Sequence, residues 1–431
     1  MTKAVAIQAT MFDGEVEVPG SKSISNRALV LAALAKGKTL IRNLQFSYDS
    51  KRMLESLKSL GFDIRWDQAA KTAEVQGLGG VIPRDSPALK GEALNVGNAG
   101  TAARFLPCLT ALGSGNFHFK SDAAMEGRPM GELLTVLAEQ GSATSPSRSA
   151  YPFTLAAGGL KGGRVSLDLS KSSQFASGLL MAAPYAASPL ALEILGEREQ
   201  LPYVEITAAM MESFGIKVHR NGALWELPLG AYASPGEYLV EPDLSGAAYF
   251  FAAAALAGGK VTVRGARASS IQGDIRFLKV LQHMGCAFYE DPEGLTVEKE
   301  PGKVLKGVEV DMGAFSDQAL TLAALAPFCD RPVTIRNVAH IRNQECDRIR
   351  AISKNLRMLG AEVEERPDGV TIQPGPLQGG VIETFGDHRV AMAFSLVGLK
   401  VPGISIDDPD CVSKTFKDYW SVLEGLQAGH D

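Results

Sequence analysis

The chain has 431 residues, 45% hydrophobic and 21% charged, a composition that supplies apolar side chains for more than one globular core and excludes long disorder. Its 43 basic and 48 acidic residues give a net charge of −5, which excludes a nucleic-acid or membrane surface built on bulk charge. The five cysteines form no CxxC pair, no basic-then-apolar leader opens the chain, and the longest apolar run, 246–258, is too short to span a bilayer, so a cytoplasmic protein without disulfides or structural zinc is expected.

In chain order, the first informative stretch is Val18-Pro-Gly-Ser-Lys-Ser-Ile-Ser-Asn-Arg27. Pro19 and Gly20 break a strand, Ser21 or Ser23 can cap a helix, and 28–35 supply strong helix formers before Gly37 as the stop. Lys22 and Arg27 sit at the end where the helix dipole and unpaired amides favour an anion. An ordinary capped helix with two solvated cations is the alternative reading. A strand over 38–44, a helix over 53–60 stopped by Gly61, and strands through Ile64 and Val75 follow. The same order returns from Asn98, with Asn98-Ala-Gly-Thr-Ala-Ala-Arg104 opening an apolar helix, a strand over 116–120 and a helix over 133–141.

Four more openings are Ser172-Ser-Gln174, Ser245-Gly-Ala247, Ser316-Asp317 and Gly386-Asp-His-Arg389, each before an apolar helix and a short strand. Markers at Ser21, Asn98, Ser173, Ser245, Ser316 and Gly386 are 77, 75, 72, 71 and 70 residues apart. A second helix ending at glycine recurs at Gly61, Gly141, Gly215, Gly285 and Gly360. A period of this length, with two helices and several strands per unit, predicts pseudo-symmetric α/β domains rather than a solenoid. Two domains of three units are expected, 21–240 and 1–20 plus 241–431, crossing twice near 19–21 and 239–243 as a hinge, with the helix openings facing one cleft.

The openings carry an unusual polar set. The cations are Lys22, Arg27, Arg104, Arg128, Arg348, Arg389 and Lys414; the neutral donors are Ser23, Asn98, Thr101, Ser172, Ser173 and Gln174; the acids are Asp317, Glu345, Asp387 and Asp243. Pro129 suits the first turn of the helix after Arg128. So many arginine forks imply ligands with more than one phosphate or carboxylate, and Asp317 and Glu345 are candidates for proton transfer. Arg27, Arg104 and Asp387 could equally be structural pairs or caps, Asp317 an N-cap or first-turn acid, and Gly100 a turn glycine that also lets backbone approach a ligand. No cluster has metal-ligand spacing, and His388 alone reads as a packed histidine.

The segments Val18–Arg27, Gly97–Arg104, Arg128-Pro129, Ser172–Phe175, Glu345–Arg348, Asp387–Arg389 and Lys414–Phe416 resemble, in order, the motif set of the 3-phosphoshikimate 1-carboxyvinyltransferase family, the 5-enolpyruvylshikimate-3-phosphate synthases. The resemblance implies two domains of three βαβαββ units closing on substrate. It implies transfer of the enolpyruvyl group of phosphoenolpyruvate to the 5-hydroxyl of shikimate 3-phosphate by addition and elimination, with neither cofactor nor metal. By position, Lys22, Ser23, Arg27, Ser172, Ser173, Gln174, Asp317 and Gln344 would hold shikimate 3-phosphate. Lys22, Asn98, Gly100, Arg128, Gln174, Arg348, Arg389 and Lys414 would line the phosphoenolpyruvate site. Asp317 would be the base, with Lys22 and Glu345 as candidate proton donors.

The chain departs from the family at Gln344, where lysine is usual, at Gln200-Leu201, and at Phe105 in place of proline. These departures leave open another acceptor, including UDP-N-acetylglucosamine as used by the sister transferases, although 122–127 lacks the cysteine usual there. A non-catalytic ligand-binding paralogue is a further alternative, against which the retention of Lys22, Asp317, Glu345 and Arg348 together argues. A nucleic-acid end-processing enzyme of similar units is disfavoured by the net charge. A monomer is expected.

Overall fold

The computed structural model describes residues 2–4, 11–146, 149–169, 172–196 and 201–426. It is a mixed α/β protein of six small sheets, five of four strands and one of three, laid out on one plan. In the second repeat, Leu94–Gly97 runs parallel to Gly115–Ser121, which pairs antiparallel with Phe153–Ala157, and that strand with Ala143–Ser145. Helix Gly100–Ala111 links the parallel pair and helix Gly131–Glu139 leads to the last two strands. The third repeat repeats the order with sheet Gly163–Asp168, Leu190–Leu195, Leu224–Leu227 and His219–Asn221 and helices Ser173–Ala182 and Leu201–Ser213.

The chain divides into two compact units, Gly20–Val240 and Met1–Pro19 with Glu241–Asp431. Gly20 therefore lies with the unit that follows it. In the Gly20–Val240 unit the first repeat takes its leading strand from the far end, because Glu237–Leu239 pairs parallel with Lys36–Arg42. In the other unit Phe12–Val16 holds that place beside Gly259–Arg264, and Lys3–Ala4 pairs with Ile404–Ile406 in the sixth repeat. Repeats cut by a chain crossing are thus completed from a distant segment.

The first helix of each repeat is the apolar one. All 12 residues of Gly100–Ala111 and all 14 of Leu244–Ala257 are buried, so these helices are apolar all round rather than along one stripe. Close packing needs small residues: a Cβ on Gly178 would lie 2.8 Å from the Arg104 carbonyl oxygen and 3.0 Å from Cys108 Sγ. Pro107 sits inside the Gly100–Ala111 helix and lacks the N–H that would bond to the Ala103 carbonyl. The buried Tyr151 hydroxyl supplies that bond instead, at 2.7 Å. The second helices are amphipathic, as in Arg348–Met358, which buries Ile349, Ile352 and Leu356. Gly61, Gly141, Gly215, Gly285 and Gly360 end them with φ between +89° and +112°, the conformation for which a C-terminal glycine is favoured.

Several local expectations shift. The first helix, Lys22–Leu34, stops before Gly37, because Lys36 already pairs with Leu78 in the sheet, and Gly37 lies within that strand. Ser21 is its N-cap residue, but no side chain caps it. Pro129 precedes rather than enters the next helix, whose first residue is Gly131. Asp317 is not a helix cap; it lies in a 3₁₀ turn, Gly313–Gln318, and Gln318 holds the N-cap position of the following helix Ala319–Leu325 without a side-chain cap. Among the described residues no helix is long and apolar enough to cross a membrane.

Candidate active site

In the Gly20–Val240 unit, the openings of Lys22–Leu34 and Gly100–Ala111 have no side-chain cap and no acid in the first turn. Ser172 caps the third, its hydroxyl accepting from the Gln174 amide at 3.2 Å. Uncapped N-termini without nearby acid favour an anionic ligand over a protein carboxylate. The Lys22 ammonium faces Asp49 Oδ2 at 3.6 Å; Asp49 is buried, and its Oδ1 has no hydrogen-bond partner among the described residues. Asn98 likewise presents a buried, unpartnered Oδ1.

The three candidate arginines of this unit, Arg27, Arg104 and Arg128, differ in what they can do. Arg27 is buried and gives four of its five N–H groups to the protein: Nε to Thr207 Oγ1 at 2.7 Å, Nη1 to the Ser23 carbonyl at 2.9 Å, and Nη2 to Ser177 Oγ and the Tyr203 carbonyl at 3.0 and 3.1 Å. Its guanidinium lies 5.3 Å from the centre of the Phe105 ring, which gives that departure from the family a contact of its own. One Nη1 hydrogen is left for a ligand. Arg104 is buried too and holds the turn before the next helix, through Met125 Sδ at 3.1 Å and the Pro129 carbonyl at 3.1 Å. Neither arginine has an acidic partner among the described residues, and burial brings the pKa of Arg27 down to about 10 and that of Arg104, helped by the Arg128 charge, to about 9. Arg104 is therefore a structural clamp rather than a ligand-facing cation.

Arg128 is the contrast. It rides on the turn that Arg104 holds, is partly exposed, and its side chain makes no hydrogen bond or ion pair with any described residue. A Cβ on Gly100 would lie 3.7 Å from its Nη1 and 3.3 and 3.5 Å from the Gln174 side-chain oxygen and nitrogen. Three of the sequence candidates, Gly100, Arg128 and Gln174, thus converge on one point.

In the unit that contains Glu241–Asp431, cations and acids are matched. Arg348, 1% exposed, gives Nε to Asp387 Oδ2 at 2.7 Å, Nη1 to Asp317 Oδ1 at 2.9 Å and to Gln344 Oε1, and Nη2 to Glu345 Oε2 at 3.0 Å and Asp387 Oδ1 at 3.4 Å. Burial pushes its pKa down, but Asp387, Glu345 and Asp317 more than reverse that and hold it well above the ordinary value. Asp317 Oδ2 also accepts from Arg389 Nη2 at 2.9 Å, and Glu345 Oε1 from Lys414 Nζ at 3.1 Å. Asp387 accepts the Arg389 amide at 2.9 Å as the cap of helix His388–Ser395, so it is both cap and ion partner, and His388 is packed beside it. Among the described residues no three His, Cys, Asp or Glu side chains group as a metal site.

Two acids were missed in the sequence, Asp49 and Asp274. Asp274 lies in the 3₁₀ turn Gly273–Arg276, where its Oδ1 accepts from Gln318 Nε2 at 2.6 Å and Ser245 Oγ at 3.1 Å, behind Asp317. Burial, then the Asp317 charge, pushes its carboxyl from 3.8 up to about 6, with Asp243 adding to the rise and Gln318 and Arg389 opposing it. The folded protein then holds a proton between about pH 4 and 6 that the unfolded chain has lost, so this group weakens the fold as pH rises through that window. Asp274→Asn keeps the acceptor and should stabilise the protein by on the order of 1–3 kcal/mol at pH 7 but little at pH 4. Urea unfolding at the two pH values checks it; an equal gain at both would show that ionisation is not the cause. Gln200 lies outside the described residues.

The family model described as EPSP synthase (3-phosphoshikimate 1-carboxyvinyltransferase) matches residues 7–423. The chain is 45% identical over 413 residues to the 3-phosphoshikimate 1-carboxyvinyltransferase of Nostoc punctiforme, covering 95% of each chain. It is 43% identical over 420 residues to that of Shewanella sp. strain ANA-3, covering 96% of this chain and 97% of the relative. The solved structure of EPSP synthase from Acinetobacter baumannii has the same fold, with a TM-score of 0.83 at 24% identity over 99% of this chain and 98% of that one.

Proposed function

The chain belongs to the EPSP synthase (3-phosphoshikimate 1-carboxyvinyltransferase) family, and from that membership we propose how its polar residues perform the family's reaction. The activity is transfer of the enolpyruvyl group of phosphoenolpyruvate to the 5-hydroxyl of shikimate 3-phosphate, releasing phosphate, in the shikimate pathway to aromatic amino acids. The observation that carries the assignment of residues is the contrast between Arg128, whose side chain is unpartnered beside Gly100 and Gln174, and the candidates Arg348, Arg389 and Lys414, each held by a carboxylate.

Lys22, Ser23, Ser172, Ser173 and the one available Arg27 donor bind shikimate 3-phosphate, whose phosphate and carboxylate suit the Lys22 ammonium, the uncapped N-terminus of Lys22–Leu34 and the serine hydroxyls. Gln174 lies between the two ligands. Asn98, Arg128, Arg348, Arg389 and Lys414 bind phosphoenolpyruvate, whose phosphate and carboxylate suit arginine and lysine donors. Gln344 accepts from Arg348, which supports a part in orienting that arginine rather than in holding the acceptor's phosphate.

In the addition step Asp317 takes the proton of the 5-hydroxyl, the oxygen bonds to the enol carbon, and the methylene carbon gains a proton. Lys22 is the better donor for that proton. Glu345 accepts from both Arg348 and Lys414, an arrangement suited to receiving the methyl proton as the adduct expels phosphate. A cytoplasmic monomer is proposed: the five cysteines are free, as a reducing compartment would leave them, and large exposed apolar side chains such as Trp66, Val81 and Val304 come from separate segments.

Phosphorus NMR of the protein with both substrates should show 5-enolpyruvylshikimate 3-phosphate and phosphate appearing in equal amounts. Gly100→Ala should raise KM for phosphoenolpyruvate by about tenfold or more, with a smaller change for shikimate 3-phosphate, because the added methyl meets Gln174 at 3.3 Å and Arg128 at 3.7 Å. Equal changes in the two KM values would move phosphoenolpyruvate away from Gly100.

A further inference from the structure

Every one of the five N–H groups of Arg348 is already committed: one to Asp387 through Nε, two through Nη1 to Asp317 and Gln344, and two through Nη2 to Glu345 and Asp387. Arg389 and Lys414 are paired in the same network, Arg389 with the second oxygen of Asp317 and Lys414 with the second oxygen of Glu345. Three cations, Arg348, Arg389 and Lys414, therefore face three carboxylates, Asp317, Glu345 and Asp387, and the cluster carries no net charge to attract an anion. A ligand bearing phosphate and carboxylate can reach Arg348 only by taking the place of groups already on it, and on Arg389 and Lys414 it competes with the carboxylate each already holds.

The acids differ in how easily they give way. Asp387 has no exposed side-chain surface and caps the His388–Ser395 helix through the Arg389 amide, so moving it would uncap a helix and leave a buried charge unpaired. Asp317 and Glu345 retain 13% and 18% side-chain exposure, and each bridges two cations, so each already lies where a bidentate anionic ligand would lie.

We propose that Asp317 and Glu345 act as internal stand-ins for phosphoenolpyruvate on Arg348, Arg389 and Lys414, and that the ligand binds by displacing them. The proposal rests on the assignment of these cations to phosphoenolpyruvate. Its consequence is that binding and proton transfer are coupled. Only when the ligand has taken over the arginines are the Asp317 oxygens released to accept from the acceptor's hydroxyl, and the Glu345 oxygens released to face the carbon that is protonated and deprotonated. The same displacement weakens phosphoenolpyruvate binding in the absence of the acceptor.

Calorimetry with phosphoenolpyruvate alone tests this in the full chain. Asp317→Ala and Glu345→Gln should each lower Kd for phosphoenolpyruvate by about tenfold, although both lower turnover. Unchanged or weaker binding by a variant with wild-type circular dichroism would overturn the proposal. Should the variants misfold, guanidinium nitrogen NMR of the wild type decides. Added phosphoenolpyruvate should shift the Arg348 resonances and abolish their couplings to Asp317 and Glu345, whereas retention of those couplings at saturation would overturn the proposal. Wild-type phosphate release with shikimate 3-phosphate is followed alongside. Turnover with unchanged variant affinity removes the stand-in role and leaves the function, and absence of turnover removes the function itself.

Discussion

Arg348→Met should destabilise the unit containing Glu241–Asp431 by on the order of 3–5 kcal/mol, a large part of the 5–15 kcal/mol typical of a domain. The side chain is buried, gives five hydrogen bonds and is shared by Asp317, Glu345 and Asp387; its removal leaves Asp387 without its arginine partner, and Asp317 and Glu345 with one cation each, Arg389 and Lys414. Asp387 is the most costly of these, because it has no exposed surface and stays in place as a helix cap. Arg389→Met should cost less, since that guanidinium is 11% exposed and its one ion pair leaves Asp317 still bound to Arg348. Urea unfolding of both variants checks the ranking. Equal losses would mean that Arg348 is not the hub of the cluster.

Asp317→Asn and Asp317→Ala should both lower kcat by about 10²–10⁴-fold, the range for loss of a positioned general base. The asparagine variant separates chemistry from architecture. Its side-chain oxygen can still accept from Arg348 or Arg389, so the fold should survive, but it cannot take up the hydroxyl proton. If the asparagine variant kept near-normal kcat and only alanine lost it, Asp317 would be an arginine partner and not the base.

The repeat was readable because it rests on strong local signals, apolar helices opened by serine, asparagine or aspartate and helices stopped by glycine. The five stops do take the left-handed conformation that the sequence pattern requires. Less readable was the way charges pair. Arg27 and Arg104 look like Arg128 in the sequence, yet both are buried and largely committed to the protein, because they sit inside helices whose surroundings are buried, while Arg128 rides on a turn. Which arginine faces outward depends on helix phase and on contacts such as Thr207 and Pro129, more than a hundred residues away in the first case.

The acids Asp49 and Asp274 were overlooked although the repeat itself marks them. Asp49 lies 28 residues after Ser21, Asp274 29 after Ser245, and Glu345 29 after Ser316; Arg128 lies 30 after Asn98 and Lys414 28 after Gly386. The approach to the second helix is thus a second recurring polar position in each of these repeats. The apolar pattern drew attention to the first helix alone, since the second is amphipathic and its polar opening resembles any solvated turn. The 3₁₀ turn that carries Asp317 was hidden for a similar reason: Phe315 takes a non-helical conformation there, which the helix-forming residues that follow gave no cause to expect.

The most direct test of the central claim is phosphate release from phosphoenolpyruvate with shikimate 3-phosphate or UDP-N-acetylglucosamine offered separately, and Asp317→Ala as the control. Release with shikimate 3-phosphate only, lost in the variant, is the expected result. Release with UDP-N-acetylglucosamine, or undiminished release by the variant, would contradict the assignment of acceptor and base.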